Sequence, residues 1–104
     1  MALTRRFRET VVMRVARDEA FRAALLREGV QCMIDGDVKT GKAVLRDYIN
    51  ATVGFERLSA ATGTPVKSLM RMFGPRGNPQ ARNLLAVVHR LQEETGVHLE
   101  VKAA

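Results

Sequence analysis

The chain of 104 residues has no tryptophan, a single cysteine and two histidines, and these shortages exclude several kinds of site. Cys32 has no second cysteine with which to form an internal disulfide, and the histidines are too few for a zinc site. No apolar run approaches the roughly 20 residues of a membrane span, and no signal-peptide core follows the N-terminal Met-Ala-Leu-Thr-Arg-Arg. We therefore expect a cytoplasmic protein without a metal, a cofactor or a membrane contact.

Apolar residues make up 46% of the sequence and charged residues 27%, which is typical of a folded domain rather than a disordered chain. A chain of 104 residues corresponds to one domain with a modest core. We expect an all-α domain of five to six helices with a short C-terminal β-strand. Its parts are the N-terminal helices (1–35), a helical core (37–96) and the strand (97–102).

Acidic residues are missing from a long part of the sequence in which arginine is frequent. In the N-terminal third, acidic residues offset most of the arginines, and the whole chain has a formal net charge of +6. No acidic residue occurs between Glu56 and Glu93, where the basic residues are Arg57, Lys67, Arg71, Arg76, Arg82 and Arg90. This unbalanced positive charge predicts a polyanionic partner for the segment.

Capping residues and a glycine divide the first half of the chain into three helices. Thr4 can cap the first helix, Asp18 the second and Asp37 the third. Gly36 is expected to end the second helix. The third helix, at about 38–53, has an inward stripe at helical spacing that consists of Gly41, Leu45, Tyr48, Ile49 and Thr52.

A phosphate-binding loop is approximated by Gly36-Asp-Val-Lys-Thr-Gly41-Lys42-Ala43, but the match fails at two points. Ala43 stands where such a loop needs a hydroxyl group for magnesium, and residues 30–34 follow a helical rather than a strand pattern. We therefore interpret this stretch as the start of a helix and not as a nucleotide site.

The stretch Gly54–Gly74 predicts two short helices joined by a tight turn. Gly63 can take the left-handed conformation that ends a helix, and Thr64 and Pro65 suit the start of the next one. The second helix has Leu69, Met72 and Phe73 on its inward side. This is the spacing of a DNA-reading helix-turn-helix, although an ordinary pair of packed helices has the same pattern.

A turn-rich segment then leads to a sixth helix and the terminal strand. Asn78 is expected to cap this helix and Pro79 to lie in its first turn. Its expected inward residues are Leu84, Leu85, Val88 and Leu91. Residues 97–102 alternate apolar and polar side chains, which predicts a strand that pairs with a second copy or another protein, with a frayed tail as the alternative.

If the helix that follows Pro65 enters the major groove of double-stranded DNA, its outward side chains reach the base edges. The candidates for base contacts are Val66, Lys67, Ser68 and Arg71, and partial burial of Val66 is an equal alternative. Lysine and arginine donate to guanine, and valine can touch a thymine methyl group. The candidates for phosphate contacts, which position a protein without reading sequence, are Arg57, Thr64, Arg76, Asn78 and Arg82.

Several motifs together resemble known families. The glycine turn within Phe55–Gly74, with Ser59 where alanine is usual, resembles the helix-turn-helix of Cro- and lambda-repressor-like regulators. The segments Asp35-Gly-Asp37, Leu45-Arg-Asp-Tyr-Ile49, Leu58-Ser-Ala-Ala-Thr-Gly63, Ser68-Leu69 and Gly77-Asn-Pro79 resemble the addiction-module antidote family, the HigA-like antitoxins. The resemblance implies a lambda-repressor-like fold and a homodimeric repressor of its own operon that also neutralises a toxin protein.

Two other functional classes are alternatives to a DNA-binding regulator. A protein-interaction module that no longer reads DNA would also use an arginine-rich N-terminal helix and an unpaired strand. An enzyme is not expected, because His89 and His98 have no serine or cysteine near them in a catalytic pattern.

Overall fold

The computed structural model describes the backbone of residues 5–104, and the side chains of this range except those of residues 5–8, 11 and 12. This part of the chain forms six helices and no strand. The helices are α1 (Arg5–Arg17), α2 (Glu19–Ile34), α3 (Val38–Ala51), α4 (Gly54–Thr62), α5 (Val66–Met72) and α6 (Ala81–Thr95). The expectation of an all-α fold is confirmed, whereas the cap predicted at Thr4 lies outside the described residues.

Side-chain caps begin α2 and α3, as the sequence predicts. The Asp18 carboxylate accepts a hydrogen bond from the backbone N–H of Phe21 at 3.0 Å, and Asp37 accepts one from Thr40 at 3.2 Å. The bonds from Thr40 hold the pKa of the Asp37 carboxyl below its usual value. Gly36 follows α2 with a φ of +90°, a conformation that favours glycine, so it ends the helix as expected.

Two glycines allow α2 and α3 to cross in close contact. A Cβ atom on Gly41 would lie 2.5 Å from Cγ of Met33 and 2.9 Å from the carbonyl oxygen of Gly29. A Cβ atom on Gly29 would lie 2.8 Å from Cδ2 of Leu45. Because these distances are shorter than real Cβ contacts, a larger residue at Gly41 would push against the backbone of α2, and one at Gly29 would displace the side chain of Leu45.

The core combines the inward stripe of α3 with side chains of α2, α4, α5 and α6. Its buried members are Leu26, Leu45, Tyr48, Ile49, Phe55, Leu58, Leu69, Phe73, Val87, Val88, Leu91 and Val97. The Tyr48 hydroxyl donates to Oγ1 of Thr95 at 2.8 Å and so joins α3 to α6. Burial raises the pKa of Tyr48. Of the predicted stripe of α3, all residues are buried except Thr52, which is half-buried.

The start and the inward face of α6 differ from the prediction. The helix begins at Ala81 with Gln80 at the cap position and no side-chain cap, so Asn78 and Pro79 belong to the preceding loop. Leu85 is 62% exposed, whereas Val87 is 2% exposed. The prediction of an inward Leu85 was wrong, because the buried side of α6 follows a spacing of 84, 87, 88 and 91 that leaves position 85 outside it.

The strand predicted for residues 97–102 is not formed in the part of the chain that the structure describes. Val97 packs into the core, and the backbone N–H of Leu99 donates to Oε1 of Gln92 at 2.8 Å. Val101 is 89% exposed. A strand requires a neighbouring strand for its backbone hydrogen bonds, and residues 5–104 of one chain provide none. Pairing with a second chain stays a prediction.

Candidate nucleic-acid interface

A left-handed glycine ends α4 ahead of the turn that leads to α5. Gly63 has a φ of +74°, and its N–H donates to the carbonyl oxygen of Ser59 at 2.8 Å. Pro65 precedes the first residue of α5, which has no side-chain cap. The prediction that Thr64 caps this helix was wrong, because Pro65 occupies the cap position and no described side chain accepts a hydrogen bond from the first turn. The N–H of Thr64 donates to Oγ1 of Thr62 at 3.3 Å.

The inward side of α5 is anchored in the core. Leu69 is 0% and Phe73 1% exposed, and Met72 is half-buried against the same cluster. The rings of Phe73 and Phe55 are tilted by 55° with centroids 6.4 Å apart, which is within the range of favourable aromatic pairs. These contacts confirm the predicted inward residues and fix which side of α5 faces away from the core.

The outward side of α5 is polar and cationic. Lys67, Ser68, Met70 and Arg71 are exposed, whereas Val66 is half-buried and packs against the core. Three of the four candidates for base contacts are therefore accessible to a partner, and the fourth has a structural role as well. Among the described residues, neither Lys67 nor Arg71 takes part in an ion pair that would occupy its charge.

A shallow cleft of about 240 Å³ joins α5 to the loop that follows it. It is lined by Ser68, Arg71, Met72, Arg76, Gly77, Asn78 and Pro79. The fold thus brings two of the candidates for base contacts (Ser68 and Arg71) beside two of the candidates for phosphate contacts (Arg76 and Asn78). No carboxylate lines the cleft, so its polar groups suit an anion.

The other three candidates for phosphate contacts lie outside this cleft. Nη2 of Arg57 is 3.0 Å from Oε2 of Glu94, and Arg57 lines a different cleft that also contains Arg22. Arg82 is exposed in the first turn of α6, and Thr64 is half-buried. The sequence pattern alone did not separate these three residues from Arg76 and Asn78, because they share the same cationic or polar character.

Lys42 bonds the loop beside the cleft at α5, and no such role was predicted for it from the sequence. The residue is only 6% exposed, and its ammonium donates to the carbonyl oxygens of Gly74 at 2.9 Å and of Gly77 at 2.7 Å. Its position was a signal, since Lys42 precedes the buried Leu45 and Ile49 by three and seven residues. A lysine on a buried stripe requires hydrogen-bond partners from elsewhere in the fold.

The described side chains include the single cysteine and residue types that metal sites use. No group of three or more His, Cys, Asp and Glu residues that could hold a metal ion occurs among them. Partial burial and the nearby Glu28 raise the pKa of the Cys32 thiol, which disfavours the reactive thiolate. None of the helices that the structure describes is long and apolar enough to cross a membrane.

Comparison with protein families, curated proteins and solved structures gives no match to this chain.

Proposed function

We propose that the protein is a sequence-specific regulator that binds double-stranded DNA through a helix-turn-helix formed by α4 and α5. The observation that carries this proposal is the outward face of α5, where Lys67, Ser68 and Arg71 are exposed beside a cleft with Arg76 and Asn78. This face lies in a segment without acidic residues from 57 to 92. Such a surface attracts phosphate and can donate hydrogen bonds to base edges.

In this proposal the outward residues of α5 and the residues of the following loop have two different roles. Lys67, Ser68 and Arg71 contact base edges in the major groove, because they extend from the exposed side of the recognition helix. Arg76 and Asn78 bind phosphates next to these bases and hold the helix in register. Arg57 contributes to DNA binding only if its ion pair with Glu94 opens, so we assign it a smaller part.

We further infer that the protein acts as a homodimer and as the antitoxin of a toxin–antitoxin pair that represses its own operon. This part of the proposal is supported by the resemblance to HigA-like antitoxins in segments such as Gly77-Asn-Pro79. The same proposal describes the protein as a repressor and not an enzyme, and it places the protein in the cytoplasm. A cognate toxin would be encoded by a neighbouring reading frame.

Binding selection from random duplex DNA, combined with measurement of the oligomeric state, tests the proposal. We expect an enriched palindromic site whose half-site spacing reflects a two-fold symmetric dimer. Affinity should fall steeply with salt concentration, because contacts between cations and phosphates release counterions. Failure of any duplex sequence to be enriched, at low salt and with folded protein, would contradict sequence-specific binding.

A second candidate function is protein interaction without DNA reading. A cleft of about 610 Å³ lies between α2 and the C-terminal tail, and its lining combines apolar side chains such as Ile34 and Val101 with polar and charged ones. These two residues are 62% and 89% exposed, so a partner protein could cover them together with the rest of the cleft. A co-purified partner protein, together with the absence of any selected DNA site, would favour this function.

A further inference from the structure

Lys42 lies on α3, far in sequence from the candidate DNA contacts, yet its side chain reaches the loop that carries two of them. Its ammonium bonds the carbonyl oxygens of Gly74 and Gly77, at 2.9 and 2.7 Å. These two glycines flank Arg76, and the N–H of Gly77 also donates to the oxygen of Gly74 at 3.1 Å. One buried cation therefore holds both ends of the turn from which Arg76 extends.

The loop also packs directly against α5. A Cβ atom on Gly77 would overlap the carbonyl oxygen of Arg71, so only glycine allows this approach. Gly74 donates its N–H to the same carbonyl group at 3.1 Å. The backbone that carries Arg76 and Asn78 is thus held by α3 through Lys42 and by close contact with the end of the proposed recognition helix.

The charge of Lys42 matters as well as its hydrogen bonds. The carbonyl oxygens of Gly74 and Gly77 carry partial negative charge, and they would repel DNA phosphates if they faced the cleft. Because both oxygens accept hydrogen bonds from the ammonium, this charge is compensated inside the protein. The ammonium also lies near the C-terminal end of α5, where a cation interacts favourably with the helix dipole.

We propose that Lys42 is a positioning residue for the DNA interface, which fixes the loop so that Arg76 and Asn78 meet the phosphates beside the bases contacted by α5. This inference rests on the proposed function. It assigns no direct DNA contact to Lys42, since the residue is only 6% exposed. An apolar residue would fill the same place on the buried stripe without the cost of desolvating a charge. The hydrogen bonds to the two carbonyl groups therefore explain why a lysine occupies this position.

The test compares Lys42→Met with Lys39→Met, which removes the same charge from an exposed position on the same helix. Hydrogen exchange of the Gly77 amide reports the loop without DNA, and titration of the selected duplex reports binding. For Lys42→Met we expect exchange at Gly77 to rise about tenfold and affinity to fall about tenfold, which corresponds to about 1.4 kcal/mol. The salt slope should decrease by about 0.9 for each phosphate that the variant no longer neutralises.

Two further variants make the test independent of folding problems. Lys42→Arg keeps the charge and the donors, and we expect it to recover part of the affinity, which an apolar filler such as methionine cannot do. Gly77→Ala displaces the loop while leaving Lys42 in place, so it should weaken DNA binding even if Lys42→Met does not fold. Lys39→Met should match the native protein in both measurements.

The results separate this inference from the proposed function. Unchanged exchange at Gly77 in folded Lys42→Met, or raised exchange with unchanged DNA affinity, overturns the positioning role and leaves DNA binding intact. If Gly77→Ala binds DNA like the native protein, the loop does not position a contact and the inference is also wrong. If the native protein binds no duplex, the proposed function and the positioning role fail together.

Discussion

The α2–α3 pair and the α4–α5 pair are both helical hairpins, but they are stabilised in different ways. The helices of the first pair have 16 and 14 residues, and each is preceded by a capping aspartate whose side chain accepts a hydrogen bond from a backbone N–H. The helices of the second pair have 9 and 7 residues, and neither has a side-chain cap. Close contact at Gly29 and Gly41 further joins the first pair along its crossing.

This difference shows which interactions stabilise each pair. Short isolated helices are marginal in water, so α5 depends on the burial of Leu69 and Phe73 and on the pairing of Phe73 with Phe55. Its remaining side is free to present polar groups to a partner. Lys42 connects the two pairs, because it lies on the first and bonds the loop behind the second.

The largest expected effect is on the anchoring of α5. Leu69→Ala should reduce the free energy of unfolding by about 2–5 kcal/mol, because it leaves a cavity where the side chain is fully buried. Met70→Ala, at the next position and 54% exposed, is the matched control and should change stability little. Chemical denaturation measures both variants. Equal stabilities would mean that α5 does not depend on core burial.

The next largest effect is on DNA binding, where the outward face of α5 and the following loop are expected to contribute differently. Arg71→Ala should lower discrimination among bases by about 1–3 kcal/mol, and Arg76→Ala should weaken all duplexes alike and reduce the salt slope by about 1. Arg27→Ala removes the same charge from the exposed side of α2 and should leave binding unchanged. Quantitative shift assays on the selected site and single-base variants check this. An unchanged base preference in Arg71→Ala would remove α5 from the role of recognition helix.

A smaller effect is expected where the first pair of helices joins α6. Tyr48→Phe removes the hydrogen bond to Thr95 and should lower stability by about 0.5–1.5 kcal/mol at neutral pH. The raised pKa of Tyr48 also makes the contribution of this residue to stability depend on pH. The contribution is present below the pKa of about 10 that tyrosine has in the unfolded chain, and it is lost as pH rises through the higher pKa of the folded state. Thermal unfolding from pH 8 to 11 should therefore show less alkaline destabilisation in Tyr48→Phe.

The smallest effect concerns the cap of α3. The lowered pKa of Asp37 means that its contribution to stability is present above the ordinary aspartate pKa of about 3.9 and is lost as pH falls through the folded value. Asp37→Asn should keep the cap and remove this part of the acid dependence, whereas Asp37→Ala should lose the cap at every pH. Melting temperatures between pH 3 and 7 distinguish the two. Parallel pH profiles for Asp37→Asn, Asp37→Ala and the native protein would show that Asp37 does not contribute to the acid dependence of stability.

Predictions from the sequence were most accurate where a local signal decides the structure. Asp18 and Asp37 begin helices, and Gly36 and Gly63 follow helix ends with positive φ, because these features depend on a few neighbouring residues. The prediction failed at Leu85 and at the start of α6, because the buried side of a helix depends on the elements packed against it and this helix has no side-chain cap. Only three-dimensional packing shows which arginines lie together.

The sequence by itself determined the order of the helices and the cationic character of the segment with α5, since periodicity, caps and charge are local properties of the chain. It also predicted a C-terminal strand that the described residues do not form. The tertiary structure decided which of those cations share a surface. It placed Arg71 and Arg76 on one cleft, paired Arg57 with Glu94 and turned Lys42 inward to the carbonyl groups of the loop. The physical reason is that a buried ammonium must find oxygen atoms, and those atoms lie 32 and 35 residues away along the chain.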